Sequence, residues 1–130
     1  MKKKFVSRMT ILVVFLCIGL SACQKNKEIV HISIIREGLP VKTIDETAIN
    51  KIESIFTNVK WNPNTQVNWA KEEDCKIVVT YKQGSKTSKT EYGVWFSGKE
   101  AELSSSDSDE SYGELNKEDT MALKKIVRNN

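Results

Sequence analysis

Three kinds of side chain in this sequence could do chemistry: the thiols of Cys17, Cys23 and Cys75, the lone imidazole of His31, and the carboxylates between Asp107 and Glu118. A thiol beside an imidazole makes a nucleophile with its base. Cys75 and His31 lie far apart in the chain, however, and neither sits in a recognisable catalytic signature. Cys75 therefore reads as a core residue and His31 as a strand-edge or surface residue. An enzyme using Cys75 or an acidic pair is the competing class. In the acidic run, Asp107-x-Asp109-x-Ser111 with Glu118 as twelfth residue matches the ligand positions of a calcium loop. Position six is Tyr112 rather than glycine, and the preceding segment reads as strand, so a solvated acidic loop with no metal is expected. No Gly-x-Ser-x-Gly, phosphate loop or zinc spacing occurs, and no cofactor is expected.

The chemistry at Cys23 is of another kind. Met1 to Thr10 carries Lys2, Lys3, Lys4 and Arg8 without an acidic residue, and Ile11 to Leu20 is wholly apolar. As a helix that apolar run is about 15 Å long, half the hydrocarbon thickness of a bilayer. A basic head, a short apolar body and small residues describe a secretion signal over residues 1–22, with the basic head kept on the cytoplasmic side. Leu20-Ser21-Ala22-Cys23 resembles the lipobox of bacterial lipoproteins. The resemblance implies cleavage between Ala22 and Cys23 and a diacylglyceryl thioether on the Cys23 sulfur. It also implies a protein held at the extracytoplasmic face of the cell membrane. Residues 23–28 then form a lipid-anchored tether, Gln24 to Glu28 being wholly polar.

Removing the signal changes the charge. The 20 basic residues lose four, which leaves 16 against 17 acidic ones, so the basic character of the whole chain belongs to its signal. No basic stripe suggests nucleic acid. The remaining 108 residues suffice for one small domain, residues 29–130. With Cys17 discarded and Cys23 lipidated, Cys75 stands alone, and stability must come from an apolar core.

The elements that must position these residues follow from periodicity. Residues 29–35 alternate, with Val30, Ile32 and Ile34 on the apolar face of a strand, and Gly38-Leu39-Pro40 breaks it. Thr43 and Glu46 form a capping box before a helix over about 44–59. Its stripe is Ala48, Ile49, Ile52, Ile55, Phe56 and Val59, with Lys51, Glu53 and Asn58 opposite. Pro63 ends it, and a polar connection carrying Trp61 and Trp69 runs to Glu73. Strands follow at 75–81, with Cys75, Ile77, Val79 and Tyr81 on one face, and at 87–97 after the turn Gln83-Gly84-Ser85-Lys86. In the second of these, Tyr92, Val94 and Phe96 face one way and Trp95 the other. A weaker strand spans 100–104, an acidic serine loop 104–113, and a final helix begins at Asn116 with Ala122, Leu123, Ile126 and Val127 inward. The order β-α-β-β-β-α predicts a small single α+β domain, an antiparallel sheet with both helices on one face.

This arrangement resembles the YhfM-like lipoprotein domain family of Gram-positive bacteria over most of the chain after residue 28. The matching features are the strand Ile29–Ile35, the helix ending in Val59-Lys60-Trp61, Tyr92-Gly93-Val94-Trp95-Phe96, and Leu115-Asn116-Lys117-Glu118 running into Leu123-Lys124-Lys125-Ile126. The resemblance implies an envelope domain with no established catalytic role. Trp61, Trp69 and Trp95 are then the candidate surface for an envelope protein or peptide partner. Trp95 is either covered by the loop carrying the other two or left exposed, and a covered ring is expected because Asn62-Pro63-Asn64 can turn the chain back.

Overall fold

The structure is a computed structural model and describes residues 26–129. The expected signal segment 1–22, the expected cleavage between Ala22 and Cys23 with acylation of Cys23, and Gln24 and Lys25 of the expected tether fall outside the described residues.

Seven strands form one antiparallel sheet: β1 (Glu28–Ile35), β2 (Lys42–Thr43), β3 (Lys60–Asn62), β4 (Cys75–Gln83), β5 (Lys86–Ser97), β6 (Glu100–Ser105) and β7 (Tyr112–Leu115). Helix α1 (Glu46–Thr57) follows β2 and helix α2 (Lys117–Arg128) follows β7. The spatial order is β2-β1-β4-β5-β6-β7-β3. The expected α+β domain is thus present, with α1 and α2 against one sheet face. Alternation along the long strands puts Ile32 and Ile34, Cys75, Ile77 and Val79, Tyr92 and Val94, and Leu103 beneath the helices, all at most 2% exposed. Ile52 and Ile55 of α1 and Leu123 and Val127 of α2 close this core. Each such aliphatic side chain gains about 1.5–3 kcal/mol on leaving water.

Several local details depart from the expectations. The N-cap of α1 is Asp45, whose carboxylate accepts from the Ala48 N–H at 2.8 Å, and Thr43 belongs to β2. Asp45 is the better acceptor because its charge also complements the helix dipole. A bulge between Ile29 and His31 inserts one extra residue in β1. It resets the alternation, so Ile29 rather than Val30 packs inward and Val30 is 45% exposed. The expected loop over 104–113 is shorter, confined to 106–111: β6 runs to Ser105 and β7 begins at Tyr112. Asn116 caps α2 as expected, accepting from the Asp119 N–H at 2.9 Å.

The β4–β5 hairpin turns at Gly84, whose φ of 64° is a region that a side chain would make costly. β5 is longer than its neighbour: pairing with β6 starts only at Tyr92, so Lys86 to Glu91 have no partner strand on that edge, while on the other side β1 pairs with the hairpin as far as Lys82.

Candidate functional site

Strand register separates the two groups that could have formed a nucleophile and its base. Cys75 points under the helices and is 1% exposed. Burial above all, with the neighbouring Asp74 charge adding to it, pushes its thiol up to about 12. His31 is exposed on the other face of the sheet, opposite Thr80 in the register, five residues along β4 from Cys75. A thiol held protonated on one side of a sheet and an imidazole on the other cannot exchange a proton.

The buried thiol has a consequence for stability. The unfolded chain can release its proton near pH 9, and the folded chain only near 12. Stability from this group is therefore complete below pH 9 and is lost as pH rises through that window. Denaturant midpoints of the wild type are expected to fall more steeply between pH 9 and 11 than those of Cys75→Ala; parallel pH slopes would contradict the burial.

On the face away from the helices, Trp95 is only 7% exposed. The connection between β3 and β4 folds back so that Trp69 stacks on it, ring centroids 3.5 Å apart and planes 3° from parallel. The Trp95 Nε1–H donates to the Lys71 carbonyl at 2.9 Å. Asp74 pins the end of this connection: its N–H donates to the Val94 carbonyl at 2.8 Å, and its carboxylate accepts from the Phe96 N–H at 2.7 Å and pairs with Lys71 at 3.0 Å. Burial opposes the Asp74 charge, but the Phe96 N–H and the Lys71 ammonium outweigh it and hold the carboxyl below its ordinary value. Gly93 makes room for the indole, since a Cβ there would meet Ser104 Oγ at 2.7 Å and Trp95 Cη2 at 2.9 Å. Tyr112 flanks the stack, its ring 6.1 Å from Trp69 and its hydroxyl shared between Glu102 at 2.8 Å and Glu114 at 3.0 Å.

Trp61 does not join this group. Its partner in the β3–β7 register is Gly113, which itself lies opposite the inward Leu103. Trp61 therefore faces the helices, with its ring 5.9 Å from Tyr92. The three indoles that the sequence grouped as one surface are split between the two faces of the sheet. Covering of Trp95 by the folded-back connection is the arrangement expected, and of the two indoles that could supply the cover it is Trp69 that does.

The acidic run is likewise dispersed. Asp107 Oδ1 accepts from the Asp109 N–H at 3.0 Å, which closes a tight turn rather than opening a ligand shell. Glu118 sits in the first turn of α2. Among the described residues no group of three His, Cys, Asp or Glu side chains could hold a metal ion.

One polar cluster escapes sequence reasoning. Tyr92 donates to Glu110 Oε1 at 3.1 Å, and the Tyr81 and Tyr92 hydroxyls are 3.2 Å apart. Burial raises the Glu110 carboxyl, the Asp107 charge adds to it, and the Tyr92 bond works the other way. Burial also raises the Tyr92 phenol. The three residues come from β4, β5 and the turn before β7, so no spacing announces them. The only signal is that two inward-facing tyrosines need partners for their hydroxyls.

A groove of about 800 Å³ lies between α1 and the start of β1, where β1 is paired with β4 but not with β2, lined by Ile29, Val30, Ile44, Ile49 and Glu53 among others. It contains no thiol or imidazole. The fold and these surfaces together define a small single-domain α+β protein whose second sheet face is partly closed by its own connection. No protein-family model, no curated protein and no solved structure matches the chain.

Proposed function

We propose that the chain is a membrane-anchored lipoprotein whose extracytoplasmic domain has a non-catalytic binding or accessory role in the cell envelope. The observation that carries this reading is Leu20-Ser21-Ala22-Cys23 directly after a basic head and a ten-residue apolar run, with β1 starting five residues later. Among the described residues no helix is long and apolar enough to cross a membrane, so retention falls to the acyl chains. Two chains on Cys23 supply the anchoring that one chain lacks. The absence of catalysis is supported by the opposite placement of Cys75 and His31. Kinship with the YhfM-like lipoprotein domains belongs to this same reading, as does an envelope protein or peptide as partner.

The test is metabolic labelling with a fatty acid. The wild type is expected to take up label and to mature, whereas Cys23→Ala takes up none and keeps its signal. Undiminished label on Cys23→Ala, and on the double variant Cys17→Ala/Cys23→Ala, would overturn the assignment. The double variant removes the second thiol of the retained signal and leaves only the buried Cys75.

A further inference from the structure

We propose that the β4–β5 hairpin is a second, electrostatic membrane contact, its lysine-bearing tip resting on anionic lipid headgroups beside the acyl anchor. The proposal rests on the reading of Cys23 as the anchored residue. From Cys75 to Thr90 the chain contains Lys76, Lys82, Lys86 and Lys89 and no acidic residue. Lys76 pairs with Glu73, whereas Lys82, Lys86 and Lys89 are exposed and take part in no salt bridge among the described residues.

The topology aims this charge at the anchor. β1 begins at Glu28, opposite Lys82, and runs antiparallel to β4. The chain upstream of Glu28 therefore leaves the sheet in the direction of the hairpin turn. Lys27 holds that exit in place, its ammonium 4.1 Å above the Tyr81 ring. Cys23 is four residues further upstream, a span of at most about 14 Å. The turn lies about 7 Å beyond Lys82 along the same direction. Even at full extension of the tether these lengths leave the turn only about 10 Å from the level of Cys23, about one Debye length. A bent tether brings Lys86 and Lys82 closer; Lys89, opposite Thr80, lies about 10 Å behind Lys86.

The acidic turn lies at the same end of the sheet but behind the tip. β6 runs toward that end and the Ser106 N–H donates to the Glu91 carbonyl, so the four-residue turn 107–110 reaches at most about 7 Å beyond the level of Glu91. Glu91 is five residues from Lys86 along β5, which leaves these carboxylates about 10 Å behind Lys86, about one Debye length. The tip therefore meets an anionic surface before they do.

The experiment uses the full lipidated chain with Ser85→Cys carrying a fluorophore at the exposed tip, reconstituted into phosphatidylcholine vesicles with or without a third of phosphatidylglycerol. Headgroup-bound quencher reports the docked tip, and a high-salt wash reports anchoring. Strong quenching is expected only in the anionic vesicles, and it should vanish at about 1 M salt, where screening acts within about 3 Å. Replacing Lys82 and Lys86 by Gln should lower the docked-to-undocked ratio about fivefold for each lysine removed, with anchoring unchanged. Equal quenching in both vesicle types, with the protein retained, would overturn the hairpin contact alone and leave an acidic protein as the occupant of the tip. Loss of the protein from both vesicle types in the wash would overturn the anchor and this proposal with it.

Discussion

Truncating Ile52 to alanine is expected to destabilise the domain by about 2–5 kcal/mol. Ile52 is 0% exposed at the centre of the α1 face, where it meets the inward residues of the sheet. The loss combines the transfer of the missing methyl groups with the cavity they leave. Against a total of about 5–15 kcal/mol for a domain of this size it is a large fraction. Lys51→Ala, on the exposed side of the same helix, should change stability by about 0.5 kcal/mol or less. Phe56 belongs to the same stripe and sits edge-on to Tyr92 with ring centroids 4.6 Å apart, but it stays half-buried. Its truncation should therefore cost less than its size alone suggests. Denaturant midpoints at constant slope provide the comparison, and equal midpoints for the Ile52 and Lys51 variants would contradict the packing of α1.

The second large effect belongs to the other face of the sheet. Trp95→Ala is expected to cost about 3–5 kcal/mol, as for other buried rings. The side chain is 7% exposed, stacks on Trp69 and donates to the Lys71 carbonyl, and the variant forfeits all three contributions. Trp69→Ala should cost less, since Trp69 is itself half-buried. A double-mutant cycle should find a coupling of about 0.5–1.5 kcal/mol for the stacked pair. Iodide quenching adds a direct readout: Trp95 should be shielded in the wild type and quenched once Trp69 is removed. Additive losses with unchanged quenching would mean that the connection does not cover this face.

Local pattern revealed the long elements because their apolar residues repeat at the period of the element itself. The α1 and α2 stripes, the inward positions of β4 and the opposed directions of Tyr92 and Trp95 could all be read this way. The short strands could not. Lys42–Thr43, Lys60–Asn62 and Tyr112–Leu115 are two to four residues long and lack a repeat of their own. They are strands because a neighbour distant in sequence offers its free N–H and C=O groups, as β7 does for β3. The bulge at Val30 was hidden for a related reason, since it exists only relative to the partner strand.

The candidate site divides along the same line. The pattern on which the proposed anchoring rests, Leu20-Ser21-Ala22-Cys23 after a basic head and an apolar run, is legible because it is a contiguous stretch of chain that needs no fold to be read. The sequence by itself also determined the α+β class, since alternating and helical apolar stripes leave few ways to be buried together. Only the tertiary structure decided that Trp61 turns inward while Trp69 closes over Trp95, and that Glu110 meets Tyr92. It alone placed the β4–β5 turn at the end of the sheet where β1 begins, with Glu28 opposite Lys82. Those outcomes depend on strand register and on which elements become neighbours, and a shift of one residue in pairing sends a side chain to the opposite face.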